Sequence, residues 1–237
     1  MPTNISDDAE RMIKCIVNTF ETGKPEGDYG LAVLLHDNAG ITYGRSQATD
    51  GGGGLDAIVY RYLDLGGGAH GDALRPYLER LDSDETAKVD PAKPPKWVKD
   101  LMALLSDAGD DPLMQRAQDE VFDENYWLPA AHQAQAMQLT DPLSWAVVYD
   151  STIHSGPRGV GRIRRLFPEM PPSRGGDERA WTRAYVAARY AWLASHPWHA
   201  VRQTVYRMRS FQDLIDKDAW QLESPVRLLK PRRTIKL

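Results

Sequence analysis

Two carboxylates, Glu21 and Asp37, carry the most distinctive chemistry in the sequence. Glu21 falls in the last turn of a predicted helix with a regular apolar face. Its carboxyl is therefore expected to lie against hydrophobic surface, which raises a carboxyl pKa. Asp37 begins a polar turn, where solvent and backbone donors favour the ionised form. A proton donor and an ionised base are the pair that hydrolyses a glycosidic bond, and Thr42, just beyond the turn, is expected to hold the attacking water.

The residue types alone leave a second interpretation open, because a Glu at a helix end and an Asp in a turn are common structural placements. The glycine run 51–54 is not followed by Lys-Ser/Thr, so no phosphate-binding loop is predicted. The six histidines predict no metal site, and Cys15, the single cysteine, excludes a disulfide framework and a multi-cysteine metal site. We therefore expect neither a metal nor a cofactor.

The elements that must position these residues are a helix and a hairpin. The helix runs from an N-cap at Ser6 to a stop at Gly23, and the hairpin spans 31–44, with strands at 31–35 and 41–43. Residues 82–95 are expected to form a polar surface excursion. Further helices are expected at residues 55–65, 97–107, 111–125, 129–138, 141–154, 158–166, 177–194 and 197–216.

The 237 residues are 42% apolar and 26% charged, which is typical of a globular protein. We predict a mainly α (α+β) fold in which residues 1–237 form one catalytic domain, with two lobes around a cleft. We also expect a monomer. The sequence contains no apolar run of about 18 residues, so no membrane span is predicted. No secretory signal is visible, so action on an extracellular or periplasmic wall is expected to follow lysis or specialised secretion.

The string from Asp37 to Gly44, placed after the helix that ends at Glu21, resembles the catalytic hairpin of the lysozyme superfamily. It is most similar to the chitosanases of glycoside hydrolase family 46, whose pattern is Asp-x-x-Gly-x-Thr-x-Gly. Further parts of the sequence resemble that family in the same order: Gln118-Asp119-Glu120 with Tyr126 and Pro129-Ala130, Tyr149-Asp150 with His154-Ser155-Gly156-Pro157, and Gly175-Gly176-Asp177-Glu178 with Arg189.

The resemblance implies a lysozyme-like fold and an inverting, endo-acting glycoside hydrolase. It implies that Glu21 is the general acid, Asp37 the general base and Thr42 the water-positioning residue. It also implies that Asp150 and Arg189 form a buried ion pair that supports the acid. Inversion requires the two catalytic carboxyls to be roughly 6.5–9.5 Å apart.

The substrate has two candidates, because the sequence departs from the family pattern at two places. Ala39 stands where the chitosanases have an Arg, and a position near Gly54 lacks the Asp that binds the glucosamine amine; Asp50 and Asp56 are imperfect substitutes. Residues 1–157 carry a net charge of −14 and residues 158–237 carry +10. A basic portion suits an anionic polymer, so we expect peptidoglycan as the substrate of a bacteriolytic muramidase. Chitosan is the alternative, and a catalytically idle glycan-binding relative is the second alternative.

Six further residues are expected to contact the polysaccharide. Tyr29 and Tyr43, like Trp198, offer rigid apolar area for a sugar face. Arg45 and Gln47 lie in a segment that resembles wall-degrading relatives. The remaining predicted contacts are Asp50 and His154. The basic stretch 228–236 is expected to be a solvated tail, and no nucleic-acid partner is predicted.

Overall fold

The computed structural model describes residues 5–156 and 158–237, so residues 1–4 and Pro157 of the family-like segment lie outside it. Its helices are α1 (Asp7–Thr22), α2 (Leu55–Asp64), α3 (Gly71–Leu74), α4 (Leu78–Asp82), α5 (Lys96–Ala108), α6 (Pro112–Phe122), α7 (Leu128–Ala136), α8 (Pro142–Ser155), α9 (Gly159–Arg164), α10 (Glu178–Ala194), α11 (His199–Arg202) and α12 (Tyr206–Asp216). Its strands are β1 (Ala32–Leu34), β2 (Ile41–Tyr43), β3 (Ala48–Thr49), β4 (Val226–Leu228) and β5 (Arg233–Ile235). The predicted mainly α fold with a small N-terminal antiparallel sheet is confirmed.

The chain divides into two compact units. The first unit contains the residues up to Pro25 together with Asn125–Leu237, and the second unit contains Glu26–Glu124. Within the described residues, no helix is both long enough and apolar enough to cross a membrane. The prediction of a single catalytic domain with a cleft between lobes stays a prediction.

Helix α1 forms as its sequence predicts. The Ser6 side chain accepts a hydrogen bond from the Ala9 N–H at 3.2 Å, which satisfies a donor that the first turn would otherwise leave unpaired. Asp7 and Asp8 place negative charge in that turn, where it suits the helix dipole. Gly23 ends the helix in the left-handed conformation, and its N–H donates to Thr19 O at 3.0 Å.

Helix α8 lies at the centre of the first unit. It contacts α1, α7, α9, α10 and α12, and all its residues from Pro142 to Thr152 are buried. A helix with apolar residues on every side belongs in a core. The one carboxylate in that buried stretch, Asp150, therefore needs a partner inside the protein.

The second unit is built on a three-stranded antiparallel sheet of order β1-β2-β3. Ile41 and Tyr43 on β2 join a core made with α2, α4, α5 and α6. The short strand β3 is absent from the sequence prediction. It pairs Ala48 with Tyr43 and Thr49 with Thr42, so both neighbours of β2 hold the strand that carries Thr42.

Three sequence predictions are wrong in part. The basic stretch 228–236 is not a solvated tail, because β4 and β5 pair and Leu228 and Ile235 are buried within the first unit. Residues 82–95 are not purely a surface excursion, since Thr86 is fully buried. The single helix expected at 197–216 is broken into α11, a 3₁₀ turn and α12.

Candidate active site

Glu21 lies in the last turn of α1, as predicted. Two hydrogen bonds stabilise the helix end around it. Thr22 Oγ1 donates to Asn18 O at 2.9 Å, and the Tyr206 hydroxyl donates to Phe20 O at 2.8 Å. The first bond lies within α1, and the second joins the C-terminal end of α1 to the start of α12. The backbone beneath Glu21 is therefore fixed on both sides of the residue.

A buried arginine binds the Glu21 carboxylate. Arg207 Nη1 donates to Glu21 Oε1 at 2.7 Å and also to Asp150 Oδ1 at 2.9 Å. The other oxygen of Asp150 accepts from Arg189 Nη1 at 2.5 Å. Asp150 and Arg189 are fully buried and Arg207 is nearly so, whereas the Glu21 side chain is 34% exposed. The four residues thus form a chain of ion pairs that leads from the core of the first unit to its surface.

Burial and neighbouring charges shift the pKa values of Asp150 and Arg207 in this chain of ion pairs. Burial alone would raise the pKa of Asp150, but the nearby Arg189 and Arg207 hold that pKa below its ordinary value, so Asp150 is ionised. Burial opposes the charge of Arg207, but Asp150 and Glu21 raise its pKa above the ordinary value. One buried carboxylate therefore faces two buried guanidinium groups, and Glu21 supplies the second negative charge.

Two points differ from the sequence expectation. The carboxyl of Glu21 does not lie against purely apolar surface, because it is partly exposed and paired with a cation. Sequence reasoning also missed Arg207, which lies 186 positions from Glu21. The predicted ion pair of Asp150 with Arg189 is present and buried, and its supporting role for Glu21 stays a prediction.

His154 lies on α8, one turn beyond Asp150. Burial lowers its pKa to about 4; Asp150 opposes this, while Arg207, Arg189 and His196 add to the lowering. Its imidazole is therefore neutral near pH 7, with Nδ1 3.4 Å from Ser155 Oγ. A neutral, partly exposed imidazole can hydrogen-bond a sugar hydroxyl, so the predicted substrate contact remains open to it.

Asp37 and Thr42 lie on the first hairpin of the second unit. Asp37 is exposed, and its Oδ1 accepts from the Ala39 N–H at 3.0 Å, which fixes the turn. Thr42 is 4% exposed, and its Oγ1 has no hydrogen-bond partner among the described residues. A buried hydroxyl without a protein partner is unusual and is suited to binding a water.

Gln118 on α6 holds the end of this hairpin. Its Oε1 accepts from the Arg45 N–H at 3.1 Å, and its Nε2 donates to Tyr29 O at 2.9 Å. Gly44 has φ of 73°, and a Cβ there would lie 2.1 Å from Gln118 Oε1. Only glycine fits this position, which explains the last residue of the Asp-x-x-Gly-x-Thr-x-Gly pattern.

Three of the predicted substrate contacts are internal residues. Tyr43 is fully buried and cannot present its ring to a sugar. Asp50 is fully buried, and its Oδ2 accepts from Thr86 Oγ1 at 2.5 Å and from Thr86 N at 3.1 Å. Burial raises the pKa of Asp50, and the hydrogen bonds from Thr86 only partly oppose that rise. The predicted contacts of Tyr43 and Asp50 with substrate are therefore wrong. Arg45, 9% exposed, forms an ion pair with Asp119, so its guanidinium supports the hairpin instead.

The other predicted contacts are accessible. Tyr29 is half-buried, and its hydroxyl donates to Asp119 Oδ1 at 3.0 Å. Gln47 is exposed at a left-handed position of the turn between β2 and β3, with φ of 54°. Their contacts with substrate stay predictions. Among the described residues, no group of three or more His, Cys, Asp or Glu side chains could hold a metal ion.

The sequence matches curated relatives over most of its length. A chitosanase of Bacillus subtilis (strain 168) is 25% identical over 239 residues, which covers 94% of this chain and 82% of the relative. A chitosanase of a Streptomyces species is 28% identical over 171 residues, which covers 70% of this chain and 59% of the relative.

Solved structures match the fold. The GH46 chitosanase of Gynuella sunshinyii in complex with chitotetraose has a TM-score of 0.78 and 26% identity, with 98% of each chain covered. A native chitosanase of Bacillus subtilis MY002 has a TM-score of 0.78 and 25% identity, over 98% of this chain and all of that one. The model of glycosyl hydrolase family 46 matches residues 15–226. These matches confirm the resemblance seen in the sequence, and the chain is a glycoside hydrolase that belongs to glycosyl hydrolase family 46.

Proposed function

We propose that this glycoside hydrolase is an inverting, endo-acting chitosanase that cleaves β-1,4 bonds of chitosan. In this proposal Glu21 is the general acid, Asp37 is the general base and Thr42 positions the attacking water. The observation that carries the proposal is the name shared by the curated relatives, each called a chitosanase, together with the presence of these three residues at the family positions. The peptidoglycan preference of the sequence analysis has no support from these relatives.

The charge of the second unit also supports chitosan. Residues 26–124 hold 9 Lys/Arg and 20 Asp/Glu, a net charge of −11, whereas the rest of the chain holds 20 and 13, a net charge of +7. Chitosan is a polycation, and an acidic surface attracts it over long range. The acidic excess thus belongs to the unit that carries Asp37, whereas the unit that carries Glu21 is basic.

The ion-pair chain suits Glu21 to the role of acid. A general acid becomes a carboxylate when it protonates the leaving oxygen. Arg207 is already 2.7 Å from Glu21 Oε1 and is held there by Asp150, so the product carboxylate meets a fixed positive partner. A partner that does not need to reorganise stabilises charge that develops during the reaction.

Thr42 suits the base side of the reaction. Inversion requires a water between the base and the sugar. In the second unit Asp37 is exposed to solvent, and the buried Thr42 Oγ1 retains its whole hydrogen-bonding capacity within the described residues. A hydroxyl in this state can accept from or donate to a water that Asp37 deprotonates.

The Asp that binds the free amine in the family pattern is absent here, because Gly54 stands near its position. Another carboxylate must therefore bind the amine of chitosan. Asp50 is excluded by its burial. Asp56, in the first turn of α2, is only half-buried and lies two residues beyond Gly54. We assign ammonium recognition to Asp56, since a charged amine requires an opposite charge nearby.

The test is the release of reducing ends from fully deacetylated chitosan, with the anomer of the first product followed by NMR. We expect the wild type to release the inverted anomer and Glu21→Gln and Asp37→Asn to lose at least ~100-fold in kcat. Glu26→Gln, an exposed Glu of the second unit, is the matched control and should retain activity. A parallel digest of purified sacculi should release nothing.

Three results would contradict the proposal. Release of reducing ends from sacculi but not from chitosan would restore the muramidase alternative. Full activity of a folded Glu21→Gln variant would remove Glu21 from the mechanism. Glycan binding by the wild type without any bond cleavage would identify an idle relative.

A further inference from the structure

The C-terminal hairpin concentrates positive charge. Residues 226–237 contain five Lys or Arg and no Asp or Glu. Val226, Leu228 and Ile235 are buried, whereas the cationic side chains of the hairpin are exposed. Among the described residues, no carboxylate forms an ion pair with any of these cations. Such unneutralised charge destabilises the folded chain through self-repulsion, and a bound anion would relieve that repulsion.

Two adjoining cavities of the first unit open beside these cations. The first has a volume of about 440 Å³ and the second of about 380 Å³, and Leu229 lines both. Their cationic lining residues, which we call the cationic face, are Lys217, Arg227, Arg232 and Arg233 in the first cavity and Arg202, Arg209 and Lys230 in the second. The one carboxylate among the lining residues, Asp213, binds Lys217 at 2.5 Å, so the lining has a net charge of +6.

Two arginines of the cationic face are held in place by the protein. Arg233 Nε donates to Gly23 O at 3.2 Å, and Arg209 Nη2 donates to the Tyr190 hydroxyl at 3.1 Å. Within the described chain, the other nitrogens of these two guanidinium groups have no hydrogen-bond partner. Each group is thus positioned by one bond and keeps donors for a ligand. A preorganised donor loses less conformational entropy when it binds.

Neighbouring side chains in the first cavity suit phosphate oxygens. The strand register pairs Arg227 on β4 with Thr234 on β5, so their side chains lie on the same face of the hairpin. Both residues are exposed and line the first cavity. Guanidinium and hydroxyl groups commonly donate to phosphate, and a guanidinium can do so through two parallel hydrogen bonds. The first cavity therefore has the donors that a phosphoryl group requires.

The lining of the two cavities disfavours other occupants. A protonated chitosan chain would meet like charge on the cationic face. Single-stranded nucleic acid requires rings on which its bases stack. Among the lining residues the one aromatic ring is Tyr206, which packs edge-on against Phe20 and has Lys230 Nζ 5.6 Å from its centroid. That ring is already occupied by the protein, so the cavities offer charge and donors without a stacking surface.

We infer that the cationic face binds a ligand that contains two or more linked phosphoryl groups, with one phosphoryl group in each of the two adjoining cavities. Both cavities have the volume of a small-molecule site. The inference goes beyond the proposed function, because the ligand is an anion and takes no part in the cleavage of a cationic polysaccharide.

Titration calorimetry of the full chain at low ionic strength, without chitosan, tests the inference. The probes are inorganic phosphate and tripolyphosphate. Tripolyphosphate should bind at least about 30-fold more tightly, because its second phosphoryl group binds intramolecularly once the first is seated. Arg232→Gln in the first cavity and Lys230→Gln in the second should each weaken tripolyphosphate binding by about tenfold, the effect of one lost charge-assisted hydrogen bond.

A matched control and a second measurement complete the test. Arg174→Gln removes an exposed arginine of the first unit that lines neither cavity, and it should change the tripolyphosphate affinity by less than about twofold. Tripolyphosphate should raise the Tm of the wild type and of Arg174→Gln more than that of Arg232→Gln.

Four results would overturn the inference. They are the absence of tripolyphosphate binding, equal affinities for phosphate and tripolyphosphate, and equal losses of affinity in Arg232→Gln, Lys230→Gln and Arg174→Gln. The fourth is binding of citrate, a tricarboxylate, as tightly as tripolyphosphate, which would show a site for anions in general.

Discussion

Arg207 binds the Glu21 carboxylate with the same nitrogen that binds Asp150. Nη1 lies 2.7 Å from Glu21 Oε1 and 2.9 Å from Asp150 Oδ1. The position of the guanidinium is therefore set by the core, since Asp150 is fully buried and also paired with Arg189. Glu21 receives a partner whose location does not depend on its own motion.

Replacing Arg207 should impair catalysis more than substrate binding. We expect Arg207→Gln to lower kcat by about 10²-fold with KM changed less than threefold, because a fixed charge that acts in the transition state is removed. Arg207→Lys should recover part of the loss, since it restores the charge but lacks the second guanidinium nitrogen, which donates to Phe20 O at 3.4 Å. Steady-state kinetics on chitosan and a pH–rate profile measure both. An effect confined to KM would show that Arg207 acts on substrate affinity and not on Glu21.

Local signals made part of the site predictable. The Ser6 cap, the apolar period of α1 and the stop at Gly23 all act within a few residues, and they place Glu21 correctly. The Asp37 turn and the Thr42 strand follow from equally local turn chemistry. Helix α8 was also predictable, because its mostly apolar first half follows an Asp-Pro pair, which is a typical helix start.

Long-range partners explain what the sequence did not predict. Arg207 meets Glu21 across 186 positions, and Asp50 meets Thr86 across 36. Neither pairing has a spacing that a helix or strand period could reveal. Asp50 therefore looked like an available carboxylate until its partner was known. In the hairpin of β4 and β5 only Val226 and Leu228 on β4 show a period of two, while β5 buries Ile235 alone, so the pattern is too short to predict the two strands.

Removing the charge of Asp150 should destabilise the fold. Asp150→Asn leaves two buried guanidinium groups without their shared carboxylate, which should cost about 3–5 kcal/mol in the free energy of unfolding. Denaturant titration measures the loss. The double variant Asp150→Leu with Arg189→Met should be less destabilised than Asp150→Asn, because it removes a charge of each sign. Asp100→Asn, which breaks an exposed pair with Lys96, is the control and should cost less than about 1 kcal/mol.

Removing the hydroxyl of Thr42 should affect activity without affecting stability. Thr42→Val keeps the shape of the side chain, and Thr42 Oγ1 has no partner among the described residues, so no protein hydrogen bond is lost. We expect kcat to fall by about 10- to 100-fold and the unfolding free energy to stay within about 0.5 kcal/mol of the wild type. Thr42→Ser should retain activity. A destabilised Thr42→Val with normal kcat would show that the hydroxyl is structural and that another group holds the water.

His154 should make the stability of the protein fall in mild acid. Burial lowers its pKa from 6.5 to about 4 in the folded protein, so folding favours the neutral imidazole. The stabilisation is fully present above pH 6.5 and is lost as the pH falls toward 4, because the unfolded chain binds the proton first. Partial exposure reduces the effect to about 1–2 kcal/mol.

Thermal unfolding of the wild type and His154→Gln between pH 7.5 and 4 measures this contribution. The two curves should converge as the pH falls through that window, because the variant lacks the titrating group. His132→Gln, an exposed histidine on α7, should follow the wild type throughout. Curves for His154→Gln and the wild type that stay parallel would show that His154 titrates alike in the folded and unfolded chains. The lowered pKa assigned to the folded state would then be incorrect, and His154 would carry a positive charge below about pH 6.5.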